Sequence, residues 1–146
     1  MTMYRRPLGR ARVLAIIAAI VLVVGCILPW WTSGGPNGLP VTSGNAFEGS
    51  GILVFIVAMA TLALVTLPYA SGDRPVRFEG WVSYLLLAVI AWLGLIGRTV
   101  DLAMQGAFVF RTPEEVISRG AGLPVVVIGM IILSEAVFEM ARERRD

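Results

Sequence analysis

The chain has 146 residues, 57% of them hydrophobic and 15% charged, against roughly 25% charged and 45–50% apolar in a soluble domain. Its twelve basic residues, all arginine, face ten acidic ones for a net charge of +2; the arginines flank apolar runs, so they read as topology signals and not as a nucleic-acid footprint. One cysteine excludes an intramolecular disulfide and a cysteine metal cluster, and without histidine or lysine the usual general base and Schiff-base nucleophile are missing.

At this length the chain is a single domain. Four nearly uncharged runs, at 11–31, 51–70, 81–97 and 121–140, each approach the roughly 20 residues that a helix needs to cross a bilayer. Lipid offers no partner to backbone amides, so each run is expected to be helical, and the period-2 alternation of a barrel strand is absent. The fold expected is all-α: a polytopic membrane protein of four transmembrane helices in a bundle.

The first run ends in "VVGCILPWW", which admits two readings. Val23-Val24-Gly25-Cys26 has the form of a lipobox, at which a leader is cut and Cys26 acylated. The run nevertheless stays apolar to Trp31, longer than the 7–15 residues of a signal-peptide core, and no polar tether follows Cys26. The preferred reading is a first span whose Trp30 and Trp31 sit in the interfacial aromatic belt. Next comes "TSGGPNGLPVTSGNAFEGS", dense in turn-forming residues and expected to be a compact external connector. Phe47 and Glu48 are its only bulky or charged members.

Tyr69 closes the second run, and Trp81 and Tyr84 are expected to anchor the start of the third at the opposite interface. Beyond the third run, Arg98 and Asp101 are spaced to pair on one helical face if the helix continues. Thr112-Pro113-Glu114-Glu115 joins an N-cap threonine, a proline at the first helical position and a glutamate at the third. With Gly120 as a stop, this predicts a short external interfacial helix over 113–119. Capping accounts for Glu114 and Glu115 without a metal or acid–base role.

Arginine placement orients the spans. Arg5, Arg6, Arg10, Arg12, Arg74, Arg77, Arg142, Arg144 and Arg145 share one side of a four-span layout, and Arg98, Arg111 and Arg119 fall on the other. The positive-inside rule then puts both termini in the cytoplasm. Arginine-only basicity with abundant Ala, Gly and Val matches a GC-rich bacterial genome, so the location expected is the inner (plasma) membrane.

Small residues recur at sevens: Ala11, Ala18 and Gly25; Gly51 and Ala58; Gly122, Gly129 and Ala136. That spacing keeps them on one seam suited to close helix packing. "GSGILVFIV" (49–57) and "GAGLPVVVI" (120–128) also echo each other, each opening the run after an external loop. Glu135, in "IILSEAVFEMARERR", is the one acidic residue well inside a run. Its plainer reading is a carboxylate reaching the interface or an arginine. Its sharper reading is an ion, proton or partner contact.

Leu28-Pro29-Trp30-Trp31 closing the first run, Gly49-Ser50-Gly51, Arg98 after the third run and Arg119-Gly120 before the fourth together resemble small four-span membrane proteins of unknown function from actinobacteria and related GC-rich bacteria. That resemblance implies no activity. The layout also looks like that of claudins, but the external loop lacks their cysteine pair, so no junctional role is carried over. No catalytic residue, cofactor or metal is expected. The expected role is a non-enzymatic accessory, assembly or scaffold subunit in contact with lipid and with other membrane subunits or further copies of itself. The alternatives are a homo-oligomeric channel or transporter using Glu135, and lipoprotein-like processing at Cys26.

Overall fold

In the computed structural model, residues 9–33, 42–70, 80–104, 117–119 and 122–145 are described. They form four helices, α1 (Arg10–Ile27), α2 (Ile52–Ala70), α3 (Trp81–Met104) and α4 (Gly122–Glu143), and three short strands, β1 (Trp31–Ser33), β2 (Thr42–Gly44) and β3 (Ile117–Arg119). Three helices, α1, α3 and α4, are long and apolar enough to cross a membrane; the apolar stretch of α2, Ile52–Pro68, is shorter. By helix length and composition this is a helical membrane protein.

Each helix packs against two others: α1 on α4 and α2, and α3 on α2 and α4. The composition of the inner and outer faces is inverted relative to a soluble protein. Alanines dominate the closest contacts, with Ala11, Ala15, Ala18 and Ala19 of α1 and Ala88 and Ala91 of α3 buried. Ile17, Ile20, Val24, Leu86, Leu93, Ile96, Ile128 and Phe138 point outward. An apolar exterior of this extent is costly in water and favourable in lipid.

The α1–α4 contact is the most extensive between helices, and its small-residue seam allows it. Ala11, Ala18 and Gly25 of α1 and Gly122, Gly129 and Ala136 of α4 are all buried. A Cβ on Gly25 would stand 2.6 Å from Val126 Cγ2 and 2.9 Å from the Val126 backbone nitrogen; one on Gly129 would stand 2.9 Å from Leu22 Cδ2. The helices are close enough that only hydrogen fits. At the end where α1 begins and α4 finishes, Arg10 approaches Glu139 at 3.7 Å, with the arginine largely exposed. Tyr84, near the start of α3, lies within electrostatic range of Arg12, at that same end.

Helix α1 stops at Ile27, four residues short of the expected boundary. The cause is Pro29, which disfavours helical geometry in the residue before it; Leu28 is extended at φ −65°, ψ 148°. The chain then runs directly into β1. Helix α3, in contrast, continues past Gly97 to Met104, about 36 Å at 1.5 Å per residue, and so carries Arg98 and Asp101 on helical backbone.

The three strands form one antiparallel sheet in the order β2-β1-β3, with Trp31 opposite both Gly44 and Arg119. Two expectations are corrected here. The interfacial helix expected over 113–119 is not present at its end, because Ile117–Arg119 is strand β3; residues 113–116 lie outside the described residues. The competing partner is β1, whose second edge would otherwise leave its amides and carbonyls unpaired. The segment between α1 and α2 is likewise more than a turn-rich connector, since it supplies β1, β2 and a 3-10 turn at Ala46–Glu48.

Candidate functional site

The sheet and the helix ends beneath it hold the main cluster of polar side chains. Proline 29 ends α1 and turns Trp30 back beneath it. The Trp30 indole N–H donates to the Gly25 carbonyl at 2.9 Å, satisfying one of the acceptors a helix C-terminus leaves over. The Trp30 backbone N–H donates to Gly44 O at 2.7 Å, and the Gly122 N–H donates to Pro29 O at 3.0 Å. One Pro-Trp step thus ties α1, β2 and α4 together. Trp30 is 2% exposed, so it is a packing residue and not the headgroup anchor expected; Trp31 is half-buried.

Past β2, Asn45 caps the 3-10 turn by accepting from the Phe47 N–H at 3.1 Å. This turn aims Glu48 at α3, and Phe47 packs edge-on against Phe55 of α2, their ring centroids 5.1 Å apart. Gly44 is required by proximity: a Cβ there would collide with the Trp31 indole nitrogen and the Glu48 carboxylate. Ser50 Oγ donates to Gly94 O of α3 at 3.1 Å, and Gly94 lets the chain in, since a Cβ on it would meet Ser50 O and Leu53 Cβ at 2.8 Å.

Arg98 is the centre of this cluster. Its side chain is 4% exposed, and its guanidinium donates to Asp101 Oδ2 at 2.8 Å and reaches Glu48 Oε2 at 3.5 Å. The two carboxylates are about half exposed, at 51% and 48%. The buried cation is therefore neutralised by groups that keep water on their outer side. The Arg98 Nε and Trp31 Nε1 donors are buried without a protein partner. Chemically the arrangement is a charge-neutralising clamp: a buried Arg of α3 holds the loop turn that carries Glu48.

The Arg98–Asp101 spacing was visible in the sequence. Glu48, fifty residues away, was not tied to it by any local signal. Trp81 is half-buried, whereas Tyr84 is 2% exposed with its hydroxyl unpartnered, packed among the helices and not turned outward as an anchor would be. Ser134 gives α3 and α4 a polar link: its hydroxyl accepts from the Trp92 indole at 3.0 Å and donates to Met130 O at 2.8 Å. Glu135, next in sequence, is on a different face, exposed beside Ile131 and Phe138. Cys26 is fully buried in α1.

No protein-family model, curated protein or solved structure matches the chain.

Proposed function

We propose that the chain is a four-span protein of the bacterial inner membrane with both termini cytoplasmic, acting without catalysis as an accessory, assembly or scaffold subunit of a larger membrane complex. The observation that supports this reading is the disposition of its polar groups. Among the described residues, buried Thr61 donates to Val57 O at 2.8 Å and the buried Arg98 cation is neutralised by two carboxylates, which leaves Arg98 Nε and the Tyr84 hydroxyl as isolated donors, not a continuous polar path. Close-packed alanine and glycine fill the contacts between helices. Surfaces, more than an interior path, are what this chain offers.

The four-span count makes α2 a span as well, and the arginine distribution supports the orientation. Strands from both external segments then form a small ordered cap on the outer side, held by Arg98.

A second reading, a homo-oligomeric channel or transporter, draws on the outward position of Glu135, because a path using that carboxylate runs between subunits. Purification of the tagged chain from its own membranes in mild detergent, followed by mass spectrometry of co-eluting proteins, tests both. A stoichiometric partner is the expected result. A defined homo-oligomer without partners favours the second reading, and a lone monomer contradicts both. A diacylated chain starting at Cys26 in the same spectra overturns α1 as a span.

A further inference from the structure

Glu135 is the unexplained group of the membrane-facing surface. It lies on the outer face of α4 with Ile128, Ile131 and Phe138, all exposed. Thirteen residues separate it from Gly122 and seven from Arg142, about 20 Å and 10 Å along the helix. Helical side chains tilt toward the helix N-terminus, which for α4 is the end carrying the sheet. The carboxylate therefore leans away from the arginine-rich end, into the apolar region.

No cation of this chain is placed to meet it among the described residues. Gly25 against Val126 and Leu22 against Gly129 set a register that puts Glu135 level with Ile16, one turn deeper than Arg12. Arg10 approaches Glu139, a turn nearer the end, and Arg98 belongs to the opposite end. Among the described residues, a second copy in the same membrane orientation brings no basic residue to that depth either. A carboxylate in hydrocarbon is costly and is stabilised by a partner of opposite charge.

We propose that the Glu135 face of α4 is the docking surface for a transmembrane helix of a different protein, one carrying an arginine or lysine at the depth of Glu135. This rests on the four-span accessory-subunit reading and names the partner's chemistry.

The test reconstitutes the full chain in phosphatidylcholine vesicles with a labelled polyleucine transmembrane peptide bearing one arginine at that depth, and measures association by energy transfer. The arginine peptide is expected to associate about tenfold more tightly than an all-leucine peptide. Glu135→Gln should remove that preference while leaving helicity and melting unchanged. Equal association of the two peptides, or a preference that survives Glu135→Gln, overturns the proposal. So does copy-to-copy association that depends on Glu135 and exceeds binding of the peptide. Sidedness labelling separates the failures: opposite sides for Thr42 and Gly72 with no peptide preference sinks this inference alone, whereas the same side for both sinks the reading beneath it.

Discussion

A Gly122→Val variant is expected to lose about 3 kcal/mol of stability, or roughly 10 °C of melting temperature. The neighbours of Gly122 decide the size of the effect. A Cβ at this position would stand 2.6 Å from Leu28 O, 2.8 Å from Gly25 O and 2.6 Å from Trp30 Cδ1. Two of these are backbone oxygens at the end of α1, so relief requires moving the helix itself. Such a shift would also stretch the Gly122 N–H to Pro29 O bond and disturb the sheet that follows. Gly9, with nothing within 4 Å of its Cβ position, is the control, and Gly9→Ala should stay within about 0.5 kcal/mol of the parent. The single cysteine supplies the readout. Because Cys26 is buried in α1, a thiol-activated dye in detergent reports separation of the helices on heating. A Gly122→Val protein that melts with the parent contradicts the α1–α4 contact.

The second large effect is an asymmetry around Arg98. Removing both carboxylates, in Glu48→Ala with Asp101→Ala, leaves a guanidinium that is 4% exposed without a counter-charge. Breaking a buried pair from one side costs about 3–5 kcal/mol, and the half-exposed carboxylate positions admit water, which lowers the expected loss to about 2–3 kcal/mol. Arg98→Met replaces the cation by an apolar chain of similar reach and leaves the carboxylates where water solvates them. It should cost about 1 kcal/mol. The same dye assay ranks the two proteins. If Arg98→Met is the more damaging, the guanidinium stabilises the sheet and turn by more than charge neutralisation.

What the sequence made legible follows from the range of each interaction. Helices could be read because lipid forces every run of apolar residues to satisfy its own backbone. The seam could be read because a repeat of seven is a property of one helix at a time. The echo between Gly49-Ser50-Gly51 and Gly120-Ala121-Gly122 has a local meaning of the same kind. Gly51 and Gly122 each sit where a Cβ would strike a backbone oxygen, Ala46 O at 2.7 Å and Leu28 O at 2.6 Å.

The sheet was not legible. Its strands are three residues each, too short for a period-2 pattern, and the β1–β3 pairing joins segments more than eighty positions apart. Ile117–Arg119 therefore looked like the tail of a capped helix until β1 was there to pair with it. Trp30 and Tyr84 were misplaced for a related reason. An aromatic residue near the end of an apolar run has the same composition whether it faces headgroups or another helix, and only the packing partner distinguishes the two. The clamp was half visible, as Arg98 with Asp101 on one helix, and completed by a glutamate that only the loop geometry delivers.

A four-span layout with the arginine-rich ends in the cytoplasm places residues 42 and 72 on opposite sides of the bilayer. Single cysteines at Thr42→Cys and Gly72→Cys, each in a Cys26→Ala background, test it most directly in intact cells treated with a membrane-impermeant maleimide. In that layout the first is labelled from outside and the second only after the membrane is opened. Labelling of both from the same side would contradict it.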